Sequence, residues 1–150
     1  MDIGSKSGYP SSALSNFAPH PFVFQGVECK SMEGLLQAFK FEQWHIQIEM
    51  CKLVGIEAKR RGRSHTKKWQ KTQTLWWKGV EYDRHGKGYQ ELLDEAYDAL
   101  ATNEKFCKAL LASGQAVLKH AIGRTNARET VLTVSEFTRR LTRIRERLQG

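Results

Sequence analysis

The chain has 150 residues, 40% of them hydrophobic and only three of them proline, which is enough to bury one core and too little for two, so a single compact domain is expected. A formal net charge of +8 and a pI near 9.6 attract acidic partners, nucleic acid being the commonest, with a solvated basic surface as the plain alternative. No apolar run approaches the roughly 20 residues that cross a bilayer, and residues 1–14 lack the apolar centre of a signal peptide, so a soluble cytoplasmic protein with no membrane partner is expected.

Residues 1–14 are rich in Gly, Ser and Pro and read as an irregular N-terminal arm ahead of a domain over 15–150. In "NFAPHPFVFQGVECKS" a short strand over 21–24, a turn at Gln25 and Gly26, and a second strand over 27–29 make the one convincing hairpin. The period then becomes helical. Ser31 can cap a helix running from Met32 to about Trp44, a second run covers 46–54, and Gly55 and Gly62 bracket a short one over 56–61. Further on, Tyr89, Leu92, Leu93, Ala96 and Leu100 share a helix face, and Asn103 can cap a helix that stops at Gly114. Thr133 and Glu136 have capping-box spacing ahead of the stripe Val134, Phe137, Leu141, Ile144 and Leu148. The fold class is therefore mainly α with a short N-terminal β-hairpin. Cys29, Cys51 and Cys107 are odd in number and widely spaced, which fits reduced, buried thiols better than disulfides.

"SMEGLLQAFKF" is the segment with chemical interest. With successive helical residues about 100° apart, Met32, Leu35, Leu36 and Phe39 fall on one side and Glu33, Gln37, Lys40 and Trp44 on another. By pattern alone the second stripe is a solvent face, with Glu33 favoured near a helix N-terminus. Two features resist that reading: Gly34 costs about 1 kcal/mol of helix stability relative to Ala, and Trp44 is large to leave in water. A glycine beside an acid also lets a ligand approach the backbone.

The longer stretch "LSNFAPHPFVFQGVECKSMEGLLQAFKF" resembles the opening block of the NADAR, or YbiA-like, family: S-N-F, a Pro-containing segment, a Gly after the turn, S-x-E, then Q-A-x-K-F. Ser15, Asn16, Phe17, Pro21, Gly26, Ser31, Glu33, Gln37, Ala38, Lys40 and Phe41 match, and Gly62, Arg63 and Trp69 extend the likeness. The resemblance implies a single compact YbiA-like helical domain. It also implies an N-glycosidase that cleaves between a ribose and a nitrogen base, in ADP-ribosylated guanine or in riboflavin-pathway intermediates, with Glu33 as the catalytic carboxylate. The late W-G-x-G segment of many members is replaced by "HAIGRTNARETVLT", so no second carboxylate carries over. Glu129 is one candidate for it. Asp83, in the Gly-bearing loop that also holds Arg84, is another, and Arg84 there can contact phosphate; a surface loop is the alternative.

Cleaving an N-ribosidic bond builds positive charge on the sugar and adds water to its anomeric carbon. A fixed carboxylate such as Glu33 can stabilise the cation and take the water's proton, or attack covalently. Gln37 can orient that carboxylate or bind ribose, and Asn16 offers both donor and acceptor unless it only stabilises a turn. Lys40 and Arg63 suit phosphate, although Arg63 also fits a solvated face. Trp69 is either a stacking surface or a core residue. The five histidines occur singly, without H-x-x-x-H or C-x-x-C spacing, so a metal-independent site with no cofactor is expected. Gly86-Lys87-Gly88 lacks the spacing and hydroxyl of a P-loop, and no G-x-S-x-G occurs.

Two basic clusters remain. "KRRGRSHTKKWQK" mixes charge with an aromatic, as nucleic-acid grooves do, while "RRLTRIRER" reads as the solvated face of the last helix. The partner implied is an ADP-ribose-containing substrate carried on nucleic acid, DNA first. The alternatives are the riboflavin-pathway metabolite and a non-catalytic ADP-ribose or nucleic-acid binding module.

Overall fold

The computed structural model describes residues 1–150. Its elements are α1 (Ser11–Leu14), β1 (Phe22–Phe24), β2 (Val27–Cys29), α2 (Met32–Ala38), α3 (Trp44–Cys51), α4 (Gly55–Arg63), α5 (Thr66–Thr72), β3 (Thr74–Trp77), β4 (Val80–Asp83), α6 (Lys87–Leu100), α7 (Glu104–Ala112) and α8 (Val134–Gln149). The architecture is mainly α, as its composition and periodicity imply, with one hydrophobic core running through all its layers. No helix is long and apolar enough to cross a membrane.

Two antiparallel hairpins are present where one was expected. In the first, Phe22 pairs with Cys29 and Phe24 with Val27; in the second, Thr74 pairs with Asp83 and Trp77 with Val80. Both turn through two residues of positive φ, Gln25 and Gly26 in one, Lys78 and Gly79 in the other, the left-handed geometry that matches strand twist.

The helix opening at Met32 ends at Ala38, well short of Trp44. Phe39 and Phe41 are both fully buried, and two residues apart on a helix would put them on opposite faces. The freed carbonyls find a partner in the buried Gln47, whose Nε2 donates to Phe41 O (2.7 Å) and Trp76 O (2.8 Å), with Ala38 O at 3.3 Å. Trp44 consequently begins α3, packed edge-on against Trp77, away from Glu33. The stretch after Gly62 also differs: Gly62 lies inside α4, and an unforeseen helix, α5, carries Trp69 into the core.

Later helices begin at the expected caps. Asn103 accepts from Phe106 N, and Thr133 and Glu136 form a reciprocal capping box. The arginines of α8 are not all solvated: Arg140 and Arg145 are buried, with Arg140 donating to Glu136 O and Gln90 and Arg145 to Ser113 Oγ. Residues 1–14, read from composition as an irregular arm, lie against the body. Ile3 and Leu14 are buried, Ile3 N donates to Lys119 O (2.8 Å), and the terminal amine donates to Val117 O (2.7 Å). The three cysteines are free thiols, Cys29 and Cys51 buried and Cys107 half-buried.

α2 is buried on nearly every side and packs against α3 and α4. At Gly34 the contact with the end of α3 is backbone to backbone: a Cβ there would stand 2.6 Å from Met50 O and 2.7 Å from Leu53 O. The close approach is thus made by the chain itself and not by a ligand. Ser31 Oγ completes the joint, accepting from Gly34 N and donating to Leu53 O. Gly34→Ala must push α2 from α3 and is expected to cost about 2–3 kcal/mol of stability, read as a lower urea midpoint at unchanged slope.

Candidate active site

Glu33 is the second residue of α2, and its N–H, which has no acceptor within the helix, donates to Asn16 O at 3.0 Å. Its carboxylate accepts from Gln37 Nε2 at 2.7 Å, one turn further on. Both residues line a cavity of about 480 Å³ whose walls also include Asn16, Lys40, Lys59, Arg63, Thr66, Trp69, His120, Arg124 and Glu129. Burial pushes the Glu33 carboxyl above its ordinary range, against the hydrogen bond from Gln37 and the pull of Lys40, Lys59 and His120. A carboxylate so placed is a stronger base than a solvated one.

Lys40 is the innermost cation. Burial brings its ammonium down to about 8, opposed by Glu33 and assisted by Lys59 and Arg63; its Nζ donates to Thr66 Oγ1 at 3.2 Å. Arg63 and Lys59 stand on the exposed rim, one helical turn apart on α4. Across the mouth, Arg124 faces the Glu129 carboxylate at 3.8 Å. Four cations against two carboxylates leave the cavity net positive. No three of the His, Cys, Asp and Glu side chains converge as a metal-ion site.

Asn16, Glu33, Gln37, Lys40, Arg63, Trp69 and Glu129 are therefore brought together. Trp69 is only 2% exposed and belongs to the core as much as to the cavity wall, and its indole N–H has no protein partner. Asp83 and Arg84 are elsewhere. Asp83 caps a turn by accepting from His85 N, and Arg84 is fully buried, donating to both oxygens of Glu136 (2.7 and 3.1 Å) and from Nε to Thr130 O (2.8 Å). Burial would raise the Glu136 carboxyl, yet hydrogen bonds from Arg84, Thr133 N and Gln90, with the Arg84 charge, hold it at about 2. Arg84 thus anchors the segment 130–136, part of which forms one cavity wall. Thr66, Lys59, His120 and Arg124 are among the lining residues that sequence reading missed. Lys59 had a usable signal, four residues before Arg63 on one helix face; His120 and Arg124 lie in an aperiodic stretch and had none.

This fold and cavity define a class: a small helical protein of YbiA-like fold with a buried carboxylate inside a net positive pocket. The NMR structure of YbiA from E. coli superposes with a TM-score of 0.63 at 19% identity, covering 99% of this chain and 84% of that one, a likeness of fold. The chain belongs to the bacteriophage protein GP30.3 family, whose model matches residues 8–146. It is 38% identical over 150 residues, 99% of this chain and 98% of the relative, to an uncharacterized 17.1 kDa protein from the Gp30-rIII intergenic region of Enterobacteria phage T4.

Gly62 ties the rim helix to the Glu33–Gln37 pair. A Cβ on it would lie 1.8 Å from Gln37 Oε1 and 2.6 Å from Gln37 Cδ, so the Gln37 amide occupies the space a side chain would take. Gln37 Cβ is itself only 3.0 Å from that point, so Gly62→Ala must displace the amide and press on its stem, and its thermal midpoint should fall modestly, the propensity gain of Ala in a helix offsetting part of the cost. The Glu33 carboxyl, losing the Gln37 hydrogen bond, should titrate still higher than in the parent, as followed by side-chain carboxyl NMR.

Proposed function

We propose that this protein is an N-glycosidase of the ADP-ribosylglycohydrolase type, which hydrolyses the N-ribosidic bond of ADP-ribosylated guanine in nucleic acid with Glu33 as the catalytic carboxylate. The observation that carries the reading is the Glu33–Gln37 pair inside a cavity whose charged lining is net positive. A sugar cation forming beside Glu33 meets a fixed negative charge, and the raised basicity of that carboxylate suits it to take the proton of an incoming water. The diphosphate of the substrate is assigned to Lys40, Lys59, Arg63 and Arg124.

A polymeric substrate is favoured over a free metabolite by the distribution of charge outside the cavity. On α4 and α5, Arg60, Lys67, Lys68 and Lys71 are exposed and make no salt bridge, Arg61 alone being paired, with Glu49. On α8, Arg143 and Arg147 are answered by Asp94 and Asp98. The free cations share α4 and α5 with Arg63 and Trp69 of the cavity, which supports contact with a phosphate backbone beside the mouth.

The deciding experiment is incubation with an oligonucleotide ADP-ribosylated on guanine. Release of free ADP-ribose by the parent and a fall of at least about a hundredfold in Glu33→Gln, with ADP-ribose still bound, is the expected result. Unaltered release by Glu33→Gln excludes Glu33 as catalyst; binding without release by the parent points to a recognition module, and turnover confined to ribosylamino-pyrimidine phosphates points to the metabolic reaction.

Lys40 adds a pH dependence. The charge of ADP-ribose is constant between pH 7 and 9, whereas the Lys40 cation is present below about 8 and lost above it. Calorimetry should show ADP-ribose affinity falling up to about tenfold over that interval, about 1.4 kcal/mol, and a flat profile in Lys40→Met.

A further inference from the structure

We propose that His120 is the proton donor to the departing base, the second acid-base group of the reaction; the assignment rests on the N-glycosidase reading. His120 lines the same cavity as Glu33. Its Nδ1 lies 2.7 Å from Ile3 O, and since a carbonyl oxygen only accepts, Nδ1 carries a hydrogen. In the neutral ring Nε2 is then the acceptor, and in the imidazolium it is a second donor. Nε2 has no protein partner and is not closed off from solvent.

The ring is held on three sides. The Ile3 carbonyl holds Nδ1, Phe137 of the cavity wall packs edge-on with centroids 5.4 Å apart, and Gly123 leaves the room for it, since a Cβ there would stand 2.5 Å from His120 Cδ2. The other titratable cavity groups are engaged or suited to phosphate: Glu129 faces Arg124, Lys40 donates to Thr66, and Lys59 stands exposed on the rim.

The step balances without a co-reactant. The bond between the anomeric carbon and the base nitrogen breaks, its electron pair staying on nitrogen, which takes the Nε2 proton of His120. Water oxygen bonds to the anomeric carbon and yields a proton to Glu33. Return of that proton to His120 through solvent restores both groups.

His120→Asn separates this role from a structural one, because the Asn amide can replace Nδ1–H toward Ile3 O while supplying nothing in place of Nε2. In single-turnover release of ADP-ribose from the guanine-modified oligonucleotide, His120→Asn and His120→Ala should both slow by about a hundredfold or more, with ADP-ribose affinity within about threefold of the parent. His120→Gln, whose amide reaches toward the Nε2 position but cannot release a proton as an acid, serves as the second variant should the Asn variant not fold, with the same loss of release expected. Release by His120→Asn within about threefold of the parent overturns the assignment, as does a loss confined to ADP-ribose affinity. If the parent releases no ADP-ribose, the N-glycosidase reading itself fails and this assignment with it; a parent that is active beside an equally active His120→Asn removes only the role of His120.

Discussion

The backbone contact at Gly34 fixes where the cavity and its buried carboxylate stand. Met50 O and Leu53 O close to within van der Waals distance of a residue with no side chain, and this seats the short α2 deep among α3, α4 and the first hairpin. Once α2 is enclosed, Glu33 at its start can reach solvent only through the cavity. A carboxylate in that position is costly unless it is answered, and the answers are local: Asn16 O on its backbone N–H, Gln37 on its carboxylate, and Lys40 a turn beyond. The same arrangement pays an electrostatic debt and sets up a basic group inside the cavity.

The net charge of +8 is not spread evenly over this framework. α6 supplies Asp94 and Asp98 to Arg140, Arg143 and Arg147 of α8, and Glu136 neutralises the buried Arg84, so much of the C-terminal charge is answered locally. Of the cations of α4 and α5 only Arg61 is paired, with Glu49, and the one carboxylate on these helices is Glu57. A dense patch of uncompensated charge therefore lies beside the cavity mouth, where its field adds to that of Lys40 and raises the local concentration of anions.

Elements set by local physics were legible in the sequence. Ser31, Asn103 and the Thr133 and Glu136 pair are caps whose side chains satisfy their own helix, and each marks a true start. What was not legible depended on distant partners. The stop of α2 before Phe39 requires Gln47 and the burial of Phe41; the second hairpin hid behind the aromatic run "TLWW" although Lys78-Gly79 is the same kind of turn as Gln25-Gly26. The projection of Glu33 with Gln37 and Lys40 survived because all three lie within two turns, whereas Trp44 lay beyond the break. Arg84 looked like a phosphate ligand in sequence because nothing nearby reveals Glu136, 52 residues away in the chain. His120 was invisible for the same reason, its orientation being set by a carbonyl near the N-terminus.

The two amides of the cavity are locked with opposite polarity. Tyr97, fully buried, donates to Asn16 Oδ1 at 2.8 Å, so the end of Asn16 left for a ligand is its NH2, a donor. Gln37 spends its NH2 on Glu33 and keeps Oε1, an acceptor, without a protein partner; the Trp69 N–H is a further unpartnered donor. Both of these atoms are closed to solvent, Gln37 Oε1 against Gly62, so neither is offered to a ligand. The polar group that Asn16 turns to the cavity is therefore a donor, and like the cations around it, it calls for a ligand that brings acceptors, as phosphate and sugar oxygens do.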